Sequence, residues 1–160
     1  EQPAEDIHEW NMKNVYRDLA TRDKAKKIFF AWLYNPKSDV VDHSVYDRDK
    51  VLKKFYVDGS IETPMGRKIK VDERKALNYL IQSTTADIVL DRAVAIDNFL
   101  SDKESSISHI VHDEVVVDLK DSERALVPQI KEIFENNKLD SFLCNLNAGP
   151  DYYNLKVLSI

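Results

Sequence analysis

The sequence predicts an α+β fold that begins with helices and later carries an antiparallel β-hairpin. Residues 72–100 keep a helical pattern and contain neither Gly nor Pro. Two β-branched runs, 107–111 and 115–119, flank the tripeptide His112-Asp113-Glu114 and predict the hairpin. The chain has 160 residues, of which 43% are hydrophobic and only three are Gly. This length and composition suit one helix-rich domain with a proper core.

Three helices are predicted before residue 60. Residues 5–19 carry apolar side chains at roughly helical spacing. Thr21 is a suitable cap for a second helix over Arg22–Tyr34, which Pro36 ends. After a polar loop, residues 47–57 predict the third helix.

The second part of the chain predicts strands and helices in alternation. Asp58-Gly59-Ser60 closes the third helix, and residues 61–71 predict two short strands around the turn Pro64-Met65-Gly66. Beyond the long helix and the hairpin, residues 121–137 predict a helix capped by Asp121 or Ser122. Residues 152–160 predict a final strand.

Composition excludes several classes of protein. The single Cys144 excludes an internal disulfide and fits a reducing compartment. No apolar run approaches the ~20 residues of a membrane span, and no signal-peptide pattern is present. We therefore expect no membrane partner and a cytoplasmic or nucleoid-associated location in a host cell.

Positive charge is concentrated in one segment, although the whole chain has a net charge of -5. Residues 22–75 hold 14 Lys and Arg against 9 Asp and Glu, whereas residues 76–160 hold 7 against 14. Such a segment can face phosphates while the rest faces solvent. A solvated helical face explains the same pattern, so charge alone decides nothing.

Arg22, Lys26, Phe30 and Tyr34 follow one another at intervals of four residues. Each step of four turns a helix by about 40° beyond a full circle, so these side chains form a slowly winding stripe. Its two cations could hold a triphosphate, and a ring one turn further could stack on the same nucleotide. An ordinary amphipathic helix with core aromatics is the alternative.

Asp113 and Glu114 place two carboxylates in the predicted hairpin turn. Phosphoryl transfer by two Mg²⁺ ions about 3.5–4 Å apart needs carboxylates of this kind, rigidly held. A solvated acidic turn is the alternative.

Taken together, these motifs resemble DNA polymerase family A, the bacterial DNA polymerase I kind. Residues 22–34 fit the family's fingers helix, Arg-x3-Lys-x3-Phe-x3-Tyr-Gly, except that Asn35 stands in place of Gly. Asp6-Ile7-His8 resembles the family's Asp-Ile-His segment. The resemblance implies that five residues bind dNTP: His8, Arg22, Lys26, Phe30 and Tyr34. It also implies that Lys26 assists catalysis and that Phe30 causes poor use of dideoxynucleotides.

Two further segments resemble the family's DNA-binding elements. Residues 62–67 resemble its Glu-Thr-x2-Gly-Arg turn, and residues 73–88 resemble Glu-Arg-x3-Asn-x3-Gln-Gly-Thr-x-Ala-Asp-Ile. Amide side chains can donate to the minor-groove acceptors of any base pair. The resemblance implies DNA-binding roles for four residues here: Arg67, Arg74, Asn78 and Gln82.

His112-Asp113-Glu114 matches the family's His-Asp-Glu motif. The resemblance implies that His112 lies near the primer terminus and that Asp113 and Glu114 are catalytic metal ligands for Mg²⁺. The family's other metal aspartate belongs to an upstream segment, roughly Asp-Tyr-Ser-x2-Glu-x-Arg, that the 160 residues do not contain. We therefore expect a fragment whose two-metal site is only partly present and which is inactive alone.

The resemblance implies a fingers-like helical segment over residues 1–60 and a palm-like segment over residues 61–160. Its partners would be primer-template DNA, dNTP and the absent N-terminal portion of the polymerase. The short connection over residues 35–62 indicates a divergent lineage, such as a viral one. Three alternatives stay open: a single-subunit RNA polymerase fragment, a non-catalytic nucleic-acid-binding remnant, and one half of a split polymerase.

Overall fold

The computed structural model describes residues 6–16, 21–34 and 45–159. It combines helices with antiparallel strands, so the predicted α+β class is confirmed. The chain divides into two compact units, Glu1–Thr84 and Thr85–Ile160. Compactness does not reveal function, so the division into fingers-like residues 1–60 and palm-like residues 61–160 stays a prediction.

The first helix, α1 (Ile7–Asn14), is capped at its N-terminus by Asp6. The Asp6 carboxylate accepts hydrogen bonds from the backbone N–H groups of His8 and Glu9 at 2.9 and 3.1 Å. Such a cap satisfies donors that have no partner within the helix. Because α1 ends at Asn14, the predicted helix over 5–19 was too long, and its residues 17–20 lie outside the described ranges.

The second helix, α2 (Arg22–Tyr34), has the predicted bounds. The Thr21 hydroxyl accepts from the backbone N–H of Lys24 at 3.4 Å, as expected for a cap. Helix α2 buries Ala25, Trp32 and Leu33. The loop predicted around Pro36 lies outside the described residues.

The third helix, α3 (Arg48–Phe55), is capped by Asp47 and leads into a small antiparallel sheet. The strands are β1 (Tyr56–Val57), β2 (Ser60–Glu62) and β3 (Lys68–Lys70) in that spatial order. Helix α3 ends earlier than predicted because Tyr56 and Val57 pair with β2. Asp58 and Gly59 turn the chain between β1 and β2 with φ angles of 50° and 72°, a conformation that Asp-Gly sequences favour.

The core of the first unit joins α2, α3, β2 and the start of α4 (Glu73–Leu100). Its buried apolar residues are Tyr16, Ala25, Trp32, Leu33, Leu52, Ile61, Ala76, Leu77 and Leu80. Two buried polar contacts accompany this core. The Tyr46 hydroxyl donates to Asn11 Oδ1 at 2.6 Å, and an Arg48 Nη donates to the backbone carbonyls of Glu73 and Arg74. These bonds fix the approach of α1, α3 and α4 to the core.

The second unit contains the remainder of α4 and the strands β4 (Ser106–Val111) and β5 (Glu114–Asp118). Along α4 the buried residues Val89, Ala93, Ile96 and Leu100 follow helical spacing and define one face. Opposite β5, β4 contains a bulge between Ile107 and His109.

The end of the chain differs from the prediction in two ways. In place of the single helix predicted over 121–137, Asp121–Leu126 form a 3-10 helix, and α5 covers Val127–Glu135 with Pro128 in its first turn. The final strand predicted over 152–160 was too long: β7 covers only Lys156–Val157 and pairs with β6 (Asn147–Ala148), and residue 160 lies outside the described ranges. The Asp151 carboxylate bonds the backbone N–H groups of Tyr153 and Asn154, which forms a turn where a strand was expected.

Within the described ranges, every helix is too short or too polar to cross a membrane.

Candidate functional site

The four stripe residues of α2 lie on its exposed side. Arg22, Lys26, Phe30 and Tyr34 are exposed, while Trp32 of the same helix is 6% exposed and belongs to the core. The ring centroids of Phe30 and Tyr34 lie 6.3 Å apart with an interplanar angle of 19°. The stripe therefore presents two cations followed by two stacked rings to solvent.

His8 of α1 lies beside this stripe. Its ring centroid is 6.2 Å from that of Phe29 and 6.3 Å from that of Phe30. Burial lowers the pKa of His8 below its usual 6.5, and the charges of Arg22 and Lys26 lower it further, against an opposing effect of Asp6. The Nδ1 atom of His8 is buried and has no hydrogen-bond partner among the described residues. His8 therefore lies within the electrostatic influence of both stripe cations, and its Nδ1 atom is available for a further hydrogen bond.

Asp6 and Arg22 form a two-point ion pair between α1 and α2. Arg22 Nε donates to Asp6 Oδ1 at 3.1 Å, and an Arg22 Nη donates to Oδ2 at 2.7 Å. The hydrogen bond from Arg22 is the main reason that the pKa of Asp6 falls to about 2, and the same bond raises the pKa of Arg22. The sequence identified Asp6 only as part of a motif, because no pattern signals a partner 16 residues away.

The predicted DNA-binding residues Arg74, Asn78 and Gln82 lie four apart on α4. Gln82 Nε2 donates to the Tyr34 hydroxyl at 3.5 Å, which connects this face to the stripe of α2. Arg74 is exposed and donates through Nε to Asp72 at 3.0 Å. Asn78 is half-buried, and its Oδ1 has no hydrogen-bond partner within the described ranges.

Arg67 is held at the end of a tight turn. The buried Thr63 accepts from Gly66 N at 2.8 Å through its carbonyl and from Arg67 N at 3.1 Å through its hydroxyl. Gly66 has a φ of 87°, which residues with a side chain rarely adopt. The motif's Thr and Gly therefore shape the turn and leave the Arg67 side chain exposed on the surface.

The segment His112-Asp113-Glu114 lies where β4 turns into β5. Val111 pairs with Glu114, so His112 and Asp113 form the two-residue turn and Glu114 begins β5. All three side chains are exposed, and His112 has a φ of 54°, an uncommon conformation for a residue other than Gly.

Tyr152 packs on this hairpin, a contact that sequence analysis missed. Its hydroxyl donates to Glu114 Oε2 at 3.2 Å, and its ring centroid lies 5.6 Å from that of His109. The hydrogen bond to Glu114 raises the pKa of Tyr152. No local pattern in the sequence points to this contact, because 38 residues separate Tyr152 from Glu114.

The carboxylate oxygens of Asp113 and Glu114 are ligands that Mg²⁺ prefers. Over the described part of the chain, no three His, Cys, Asp or Glu side chains gather into a metal site. Within the described residues, the hairpin therefore supplies two carboxylates that suit Mg²⁺ but not a complete set of metal ligands.

A sequence model of one protein family, described as DNA polymerase family A, matches residues 38–153, well over half of the chain. The match includes the turn before Arg67, helix α4 and the hairpin, and it begins after α2.

Proposed function

The chain belongs to DNA polymerase family A, and we propose that it supplies the dNTP-binding helix and one pair of metal-binding carboxylates for template-directed DNA synthesis. Membership implies DNA and nucleotides as substrates and a general use of Mg²⁺. It favours DNA synthesis over the RNA-polymerase alternative.

The exposed stripe of α2, with His8 against it, is the observation that carries the proposal. Arg22 and Lys26 bind the triphosphate of the incoming dNTP, and His8 adds a hydrogen bond to it. Phe30, one turn further along, stacks on the sugar or base. A stripe with its aromatics in the core could not do this, whereas Phe30 and Tyr34 are 39% and 56% exposed.

DNA occupies the surface that begins at Tyr34. Tyr34 contacts the template position. Gln82 donates a hydrogen bond to the Tyr34 hydroxyl and, together with Asn78, reaches the terminal base pair. Arg67 and Arg74 are exposed cations that contact phosphates. These contacts hold primer-template DNA without choosing a sequence.

In the reaction, the primer 3′ hydroxyl attacks the α-phosphorus of the dNTP and pyrophosphate leaves. Lys26 and Arg22 offset the negative charge that develops on the leaving group. Asp113 and Glu114 would hold Mg²⁺, which when bound lowers the pKa of the attacking hydroxyl and neutralises phosphate charge. Tyr152 keeps the Glu114 carboxylate in place through its hydrogen bond to Oε2.

The second metal-binding aspartate comes from polypeptide outside the 160 residues, in the same gene product or in a partner. The support is that the sequence lacks a segment of the form Asp-Tyr-Ser-x2-Glu-x-Arg. Its sole Asp-Tyr pair, Asp151-Tyr152, is taken up by the turn that Asp151 makes with Tyr153 and Asn154. Without that aspartate the metal pair is incomplete.

Primer extension with Mg²⁺ and dNTPs tests this proposal. We expect no extension by the chain alone, nor by Asp113→Asn or by the matched control Asp118→Asn, which changes an exposed acid at the far end of β5 from the turn. Extension by the unaltered chain and by Asp118→Asn, lost in Asp113→Asn, would show a complete catalytic site and contradict the missing aspartate.

A further inference from the structure

We propose that Asp6 is a positioning residue that holds the guanidinium of Arg22 ready for the triphosphate of an incoming nucleotide. This inference rests on the proposed dNTP-binding role of α2. The sequence motifs assign no role to Asp6 itself.

The geometry of the pair leaves part of Arg22 available to a ligand. A guanidinium has five N–H donors in one plane. Asp6 accepts from Nε at 3.1 Å and from one Nη at 2.7 Å, which lie along one edge of that plane. The three remaining donors include a second two-nitrogen edge. One guanidinium can therefore bridge the Asp6 carboxylate and a phosphate at the same time.

Asp6 is itself held firmly. Its Oδ1 also accepts from the backbone N–H groups of His8 and Glu9 at the N-terminus of α1, where the helix dipole favours a carboxylate. The carboxylate thus ties the start of α1, which carries His8, to the start of α2, which carries Arg22. The Arg22 side chain is still 44% exposed, so a ligand can reach it.

Two opposing effects decide whether Asp6 strengthens or weakens triphosphate binding. The negative charge of Asp6 repels a triphosphate, but the Arg22 guanidinium and two backbone N–H groups already offset that charge. Ordering a free arginine, by contrast, costs affinity whenever a ligand binds, and prior ordering removes that cost. We expect the second effect to dominate, so that Asp6 strengthens triphosphate binding by about two- to tenfold.

Asp6→Asn separates the role of this residue as a helix cap from its role as a partner of Arg22. Asparagine caps helices as well as aspartate does, so α1 stays intact, but it cannot offer two oxygens to the guanidinium. Binding of dTTP and of inorganic tripolyphosphate is measured with the full chain in the presence of Mg²⁺. We expect both affinities to fall by about fivefold. Asp6→Ser, another good cap, should give the same loss.

Glu9→Gln is the matched control. It removes one negative charge from the same turn of α1 and leaves the bonds between Asp6 and Arg22 unchanged. We expect its affinities to stay within about twofold of the unaltered chain, since exposed charges interact weakly in water.

Arg22→Lys provides the decisive background, because lysine cannot form the two-point pair. If Asp6 acts through Arg22, Asp6→Asn will add less than about a twofold loss in that background. An equal loss in both backgrounds, or tighter binding by Asp6→Asn, would overturn the proposal. A failure of the dNTP site itself would look different, because Lys26→Ala would then also leave dTTP binding unchanged.

Discussion

The ring of Tyr34 lies nearly parallel to the ring of Phe30, at 19° and with 6.3 Å between the ring centroids. One turn of α2 separates them, and both rings face solvent while Trp32 fills the core. Two stacked exposed rings form a platform that a base can extend. Their exposure is the clearest way in which this helix departs from an ordinary amphipathic one.

Phe30→Ala should separate recognition of the base and sugar from recognition of the phosphates. Base–aromatic stacking contributes about 1–3 kcal/mol, so dTTP affinity should fall by about fivefold or more. Affinity for inorganic tripolyphosphate should not change, because it has no base. Phe30→Tyr keeps the ring and is the control. A loss of tripolyphosphate binding in Phe30→Ala would show that the ring merely supports the helix.

Binding of dTTP should strengthen as the pH falls, through protonation of His8. The pKa of His8 is lowered in the free chain by burial and by Arg22 and Lys26. A bound triphosphate adds negative charge, which raises that pKa, so the ligand prefers the protonated form. We expect affinity to increase from about pH 8 to about pH 5. Titrations of the unaltered chain and of His8→Gln separate this effect from protonation of the phosphate, because the variant should show a shallower dependence.

Asp6 should make the chain more sensitive to acid. Its pKa is lowered from 3.8 to about 2, chiefly by the hydrogen bond from Arg22. The pair of Asp6 with Arg22 therefore stabilises the fold fully above the pKa that Asp6 has in the unfolded chain. This stabilisation disappears as the pH falls through the pKa that Asp6 has in the folded chain. Denaturant unfolding between about pH 5 and about pH 2 should show a steeper loss of stability for the unaltered chain than for Asp6→Asn. Equal slopes would mean that the ion pair does not persist in solution.

The turn at His112 should tolerate Asn and reject Val. A φ of 54° is accessible to Asn, whereas a β-branched side chain is strained there. We expect His112→Val to lower the free energy of unfolding by about 1–3 kcal/mol more than His112→Asn does. Thermal unfolding of both variants measures the difference. Similar values for both would show that the turn has another conformation in solution.

The elements with the strongest local signals were predictable from sequence. Helix α2 starts after the capping Thr21 and has its predicted bounds, and α4, which contains no Gly or Pro to interrupt it, begins one residue later than predicted. The hairpin was predicted with Glu114 in its turn, but Glu114 pairs with Val111 and begins β5, so the turn contains only His112 and Asp113. Local chemistry was sufficient wherever no distant contact competed with it.

Predictions failed where distant or unusual contacts decide the structure. Tyr56 and Val57 look helical in sequence, but pairing with β2 draws them into a strand. The bond from Tyr152 to Glu114 spans 38 residues and the pair of Asp6 with Arg22 spans 16, and neither leaves a local pattern. The motif residues were thus visible in the sequence, whereas the contacts of Tyr152 with Glu114 and of Asp6 with Arg22 were not.

The nucleotide site on α2 is tested by measuring dTTP binding to the Lys26→Ala and Lys27→Ala variants by NMR titration in the presence of Mg²⁺. The two lysines are exposed neighbours on α2, but a step of one residue turns the helix by about 100°, so only Lys26 belongs to the stripe. We expect dTTP affinity to fall by about tenfold or more in Lys26→Ala and by less than about twofold in Lys27→Ala. Equal losses for the two variants, or no loss for either, would contradict a nucleotide site on this face of α2.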